Sequence, residues 1–91
     1  MKFDFDFNTE KNLLLKETRG ISFEDIVQAV RDGKTLADTK HHNQKTHPNQ
    51  RILIVKMDDY VYAVPYVIDK KRKVLFLKTL YPSKILTKKY L

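Results

Sequence analysis

Cysteine and tryptophan are absent from this 91-residue chain, glycine occurs twice and proline three times. Without cysteine there is no disulfide, no thiolate metal cage and no cysteine nucleophile. With only Gly20 and Gly33, no glycine-rich loop exists to wrap a nucleoside triphosphate. No run of about 18 apolar residues occurs, so no segment reads as a membrane-spanning helix. The opening residues, Met1-Lys2-Phe3-Asp4-Phe5-Asp6-Phe7, alternate apolar with acidic and lack the apolar stretch of a signal peptide. A cytoplasmic protein with no membrane partner is the expectation.

Acidic residues also run out. None follows Asp69, whereas Lys70, Lys71, Arg72, Lys73, Lys78, Lys84, Lys88 and Lys89 do. The 18 Lys and Arg exceed the 11 Asp and Glu, giving a formal charge of +7. Residues 1–40 hold seven basic against eight acidic side chains, and residues 41–91 hold eleven against three. A neutral half joined to a cationic half points to a polyanion on one side, most often nucleic acid. The length makes residues 1–91 one domain, burying only roughly 60–65% of the surface its unfolded chain exposes.

Phe3, Phe5 and Phe7 alternate with Asp4 and Asp6, a strand with one buried face. Asn8-Thr9 offers a helix cap, residues 10–17 read as a helix, and Gly20 ends it. Ser22 with Asp25 marks a second helix start, and Ile21 and Ile26 stand at staple spacing. Phe23, Ile26, Val27 and Val30 line one face of that helix, and Gly33 stops it. Residues 34–50 are almost devoid of apolar side chains, with Leu36 and Ala37 giving one short strand. Strands are predicted at Arg51–Met57, Tyr60–Ile68 and Lys73–Tyr81, joined by the polar turns Asp58-Asp59 and Asp69–Arg72. Pro65 cannot donate to a ladder, so its strand must be bulged or expose an edge there. A short helix, Pro82–Leu91, ends the chain, with Ile85 and Leu86 docking on the sheet. The predicted order is β-α-α-β-β-β-α: an α+β fold with an antiparallel sheet, two N-terminal helices on one face, and the last helix on the other face or rim.

Several residues stand out chemically. Lys78 interrupts the apolar run Val74–Leu80, as an edge gatekeeper or as a site cation. Ser83, Lys84 and Lys88 follow closely, and a helix start with a serine can hold an anion. Tyr60, Tyr62, Tyr66, Tyr81 and Tyr90 interleave with the cations, suiting either core packing or stacking on unpaired bases. His41, His42 and His47 can titrate near neutrality, but their spacing with Asp38 fits no metal-ligand pattern, so no metal or cofactor is expected. Glu24-Asp25 and Asp58-Asp59 have simpler explanations as a helix start and a turn.

The stretches Phe5-Asp6-Phe7-Asn8-Thr9-Glu10-Lys11-Asn12 and Arg19-Gly20-Ile21-Ser22-Phe23-Glu24-Asp25 resemble the N-terminal signature of BrnT-like toxins. Further phrases resemble a related group of small bacterial chains: His41-His42-Asn43, Asn49-Gln50, Val64-Pro65-Tyr66, Phe76-Leu77-Lys78-Thr79 and Pro82-Ser83-Lys84. The chain departs from the family in having Arg19 where a histidine is common and lysine where the last helix is usually rich in arginine. Lysine cannot make the bidentate fork of arginine. The resemblance implies a RelE-like fold and a toxin of a type II toxin–antitoxin module. Such a protein cuts messenger RNA without metal, inhibits translation, and is held inactive by an antitoxin encoded beside it. RNA supplies its 2′-hydroxyl as nucleophile, so the protein needs a base, an acid and cations for the phosphorane. On that reading the candidate catalytic residues are His41, Lys78, Ser83 and Lys84. His41 acts as general base or acid, Lys78 and Lys84 with Lys88 hold the scissile phosphate, and Ser83 hydrogen-bonds it. Arg51, Tyr62, Tyr81 and Lys88 are candidate RNA contacts. The alternative is a non-catalytic module that binds nucleic acid or an acidic protein through residues 70–91.

Overall fold

A computed structural model describes residues 4–41, 43–46 and 49–91 of the chain. Phe3, His42 and His47 lie outside the described residues. The elements run β1 (Asp4–Phe7), α1 (Thr9–Arg19), α2 (Phe23–Arg31), β2 (Thr35–Lys40), β3 (Gln50–Met57), β4 (Tyr60–Asp69), β5 (Val74–Leu77), β6 (Tyr81–Pro82) and α3 (Lys84–Tyr90).

The helices start and stop where side-chain chemistry permits. The Asn8 carboxamide oxygen accepts from the Lys11 N–H at 2.9 Å, and Gly20 takes the left-handed conformation (φ 68°) that ends α1. Ser22 and Asp25 form a reciprocal capping box on α2, each side chain accepting from the other's backbone N–H. The corner between α1 and α2 is locked by Asn12, which is only 5% exposed. Its amide nitrogen donates to Glu24 Oε1 and its oxygen accepts from the Phe23 N–H, both at 2.7 Å. That amide and the Lys16 ammonium together hold the Glu24 carboxyl below its usual range. With the corner fixed, Phe23 and Ile26 are driven fully into the core.

The sheet is mixed, in the order β1-β5-β4-β3-β2, with β6 pairing β4 beyond the end of β5. The expected all-antiparallel sheet is corrected at β1, which runs parallel to β5 with Phe5 beside Leu75. Alternation in a sequence reveals which face a strand buries. It does not reveal the partner when the whole of α1 to β4 intervenes. Leu53, Val55, Val64, Leu75 and Leu77 meet Leu15, Phe23, Ile26 and Ala29 of the two helices, and Ile21 of the link between them, in the main core. On the opposite face Leu86 and Tyr90 of α3 pack on Ile54, Val61 and Ala63. Ile85, expected to dock, is 80% exposed, because at helical spacing Leu86 and Tyr90 take the inner positions.

The single predicted strand 73–81 is split in two, and Pro65 is the reason. Pro65 is buried in β4 and pairs Ile52 of β3 with no shift in register. Its carbonyl accepts from the Lys78 N–H at 2.8 Å, so its side of the backbone faces β5, and there it has no donor to return. The ladder stops at Tyr66 opposite Leu77 and resumes at Ala63 opposite Tyr81, shifted by one residue. The extra residue makes the bulge 78–80, which buries Leu80 (1% exposed), while Lys78, next after the buried Leu77, faces away from that core. Past β6 the first turn of α3 completes the β4 ladder. Val61 donates its N–H to Thr87 Oγ1 at 2.9 Å and accepts from the Ser83 N–H at 3.0 Å. Strand β2 is longer than the sequence suggested, because pairing with β3 needs backbone groups rather than apolar side chains. No helix is long and apolar enough to cross a membrane among the described residues.

Asn12→Ala strands the buried Phe23 N–H, and we expect it to cost about 1–3 kcal/mol. The check is urea unfolding, with the midpoint falling and the slope unchanged. Glu24→Gln, at an exposed partner, changes the midpoint far less.

Candidate nucleic-acid interface

The β2–β3 and β4–β5 connections emerge at the same end of the sheet, since β2, β3, β4 and β5 are successive antiparallel neighbours. Between them lies an open concavity of about 740 Å³. Four cations line it, Lys40 and Arg51 from β2 and β3 and Lys70 and Lys71 from the β4–β5 turn. The amides of Gln44, Asn49 and Gln50 join them, and Asp69 is the single acid among the lining residues. Asp69 is itself engaged, its Oδ1 accepting from the Arg72 N–H at 3.1 Å to close the turn. The Arg72 guanidinium reaches Asp6 at 2.8 Å, and that bond, with one from the Phe7 N–H, holds the Asp6 carboxyl below its ordinary range. Asp6 and Asp69 are thereby engaged by Arg72, and the lysines set the field of this end. Asn49 enters β3 at φ 62°, a left-handed conformation that asparagine tolerates better than most residues.

Arg51 is held rather than free to swing. Its Nε donates to Asp38 Oδ1 at 3.1 Å and Nη2 to the Asp38 carbonyl at 3.3 Å. The Tyr66 hydroxyl donates to the same carboxylate, 2.8 and 2.7 Å from its two oxygens. Register explains the cluster: Arg51 faces Tyr66 across β3–β4, and Asp38 sits diagonally on β2. Burial first, and then the Asp38 bond, push the Tyr66 hydroxyl up to about 12. The sequence reading named Arg51 but missed Asp38 and Tyr66 as its supports. The signal was present in the two-residue turn Asp58-Asp59, which sets Met57 opposite Tyr60. Counting back six places puts Arg51 opposite Tyr66.

His41 stands at this same end. Its N–H donates to the Gln50 carbonyl at 2.9 Å, and its own carbonyl accepts from Gln44 Nε2 at 2.8 Å. That amide nitrogen also reaches the Gln50 carbonyl at 3.2 Å, tying His41 to the concavity. Nδ1 accepts from the Asn43 N–H at 3.0 Å, which assigns the proton of the neutral ring to Nε2. To accept a proton at Nδ1, His41 must first give up that bond.

The other sequence-predicted residues lie elsewhere. Ser83 is the cap of α3, its Oγ accepting from the Leu86 N–H at 3.1 Å and its carbonyl from the Thr87 hydroxyl at 2.7 Å. Lys84 and Lys88 are exposed on α3, where Leu86 and Tyr90 face the sheet. Ser83 is tied to Val61 and His41 to Gln50, which pairs with Val67, so about 20 Å of strand separates the two groups. Tyr81 is 40% exposed on β6. Tyr62 packs against the main core and lines a second concavity, of about 590 Å³, with Asp25, Asp32, Asp58 and Asp59. Lys78 sits in the bulge with its ammonium 5.8 Å from the centre of the Phe76 ring. The structure thus brings together His41 and Arg51 of the eight. The single phosphate cradle read from Lys78, Ser83, Lys84 and Lys88 is not formed, because the bulge and β6 carry α3 toward the far end. No group of three or more His, Asp or Glu side chains able to hold a metal occurs among the described residues.

Comparison with protein-family models, curated proteins and solved structures finds no match.

The raised Tyr66 value has a definite sign. The stability this group contributes is complete below pH 10, the ordinary tyrosine value, and is lost as pH rises toward about 12. We expect alkaline unfolding to set in across that window. Titration of tyrosine absorbance in wild type and Tyr66→Phe checks it, the variant lacking the component that ionises near 12.

Proposed function

We propose that this protein is the toxin of a type II toxin–antitoxin module, a RelE-like, metal-independent endoribonuclease acting on messenger RNA in the cytoplasm. The observation that carries the reading is the cationic concavity in which Lys40, Arg51, Lys70 and Lys71 converge with His41 at its side. Its chemistry suits a phosphodiester. The 2′-hydroxyl attacks phosphorus, a P–O2′ bond forms and the P–O5′ bond breaks, leaving a 2′,3′-cyclic phosphate and a 5′-hydroxyl. The 2′ proton must pass to a base, the leaving oxygen must gain a proton, and cations must carry the phosphorane charge. Arg51, fixed by Asp38 through Nε and Nη2, supplies the oriented cation, and Lys70 and Lys71 add charge. His41 is the candidate for proton transfer. An antitoxin, acidic where it covers this end, neutralises the protein by occupying the same cations.

The second reading, a non-catalytic module binding RNA, is favoured by one observation: His41, Lys78, Ser83 and Lys84 do not converge. The two readings part in a cleavage assay run in excess chelator, with and without ribosomes. The toxin reading expects cyclic-phosphate ends, with cleavage lowered at least tenfold by Arg51→Ala and by His41→Ala. His41→Ala leaves RNA affinity unchanged. It also expects growth arrest on induction, relieved by the product of the adjacent gene. Binding without cleavage in any format, and no effect on growth, leaves only the second reading. Each of Lys70→Ala and Lys71→Ala then lowers the salt slope of binding by about 0.7.

A further inference from the structure

We infer that Phe76 and Lys78 form a stacking shelf for one unpaired base of the bound RNA, on the α3 side of the sheet. The inference rests on the RNA reading above and adds a subsite to it. Leu75 and Leu77 enter the main core, 2% and 1% exposed, so alternation sends Phe76 to the other face. There it is only partly buried and belongs to neither core cluster, because α3 covers Ile54, Val61 and Ala63 nearer the far end. Its intermediate burial leaves part of the ring open on that face.

Register connects that ring to the cationic concavity. Phe76 pairs with Val67, Val67 with Gln50, and the Gln50 carbonyl holds His41. Val67 and Gln50 both line the concavity. Phe76 therefore stands two strands, about 10 Å, from Gln50 along one rung of the sheet. On its other side the rung ends at Asp6, whose carboxylate is bound by Arg72. The Lys78 ammonium lies over the ring, 5.8 Å from its centre, and a base that stacks there displaces this flexible side chain toward the base's own phosphate. An apolar ring with a lysine over it, on a rung that reaches the cationic concavity, matches a nucleotide: a base for the ring and a phosphate for the ammonium. Charge complementarity selects this occupant, since Lys78 stands on one side of the ring and the concavity's cations lie beyond Val67 and Gln50 on the other.

The test uses the full chain and fluorescent 2′-O-methyl RNA, which lacks the attacking hydroxyl and is not cut. One probe is a short oligoadenylate, and the other carries abasic sites at alternate positions with the same phosphates. Wild type is expected to prefer the base-bearing probe by about tenfold. Phe76→Leu erases the preference and keeps the salt slope, whereas Phe76→Tyr keeps both. Lys78→Gln lowers the slope by about 0.7. Urea midpoints confirm that each variant is folded, and the wild-type comparison needs no variant at all. Equal binding of the two probes by wild type, or a preference that survives in Phe76→Leu, overturns the shelf while leaving RNA binding intact. No binding of either probe overturns the RNA reading and the shelf with it. A polyglutamate peptide that binds with the same dependence on Phe76 assigns the row to an acidic protein and overturns the proposal.

Discussion

A missing hydrogen at Pro65 organises half of this molecule. β4 is the central strand, and on the β5 side the proline offers a carbonyl but no donor. The neighbouring chain therefore loses its ladder after Leu77 and slips by one residue before it pairs again at Tyr81. Two things depend on that slip: Leu80 plugs the core, and α3 begins at the far end of β4. A donor-bearing residue at position 65 would favour an unbroken β5, which puts residues 78–80 into alternation and leaves α3 without its tether to Val61.

The two ends of the sheet differ in sign. Around the β3–β4 turn a concavity holds Asp25, Asp32, Asp58 and Asp59 among its lining residues. At the opposite end lysines predominate, and the nearby acids are bound by arginines: Asp38 by Arg51, and Asp6 and Asp69 by Arg72. Such exposed pairs add little to stability, but they remove competing negative charge from the cationic end. The cationic field of that end draws an approaching polyanion before contact. The same arrangement explains why the sequence-level division into a neutral and a basic half understated the effect, since folding places Lys40 of the first half among the cations of the second.

What could be read in the sequence was local. The capping box of α2, the glycine after α1, and the polar turns that set the β3–β4 and β4–β5 hairpins all act over a few residues. Each appears as expected. The misses are of another kind. The partner of β1 lies about seventy residues away, beyond the reach of local pattern. The break in β5 is caused by a residue on a different strand. Ser83 is positioned both to cap a helix and to bind an anion, and the helix uses it. Tyr66 reads as one aromatic among five, and only the register of two neighbouring strands turns it into the support of Arg51. The candidate site is spread over the fold for the same reason. Its members were grouped by proximity in the chain, whereas the fold groups Arg51 and His41 with lysines from another turn.

The parallel seam between β1 and β5 also bears on how the chain reaches this structure. Phe5 and Leu75, side by side in the seam, are seventy positions apart, so β1 waits for nearly the whole chain before it finds its neighbour. Contacts of such long separation slow folding, and synthesis at about 5–20 residues per second makes the wait last seconds. During that interval β4 is the open border of the growing sheet. Its proline leaves that border short of a donor midway, a poor template for strands of other nascent chains. The residue that later breaks β5 thus guards the half-built sheet against misassembly.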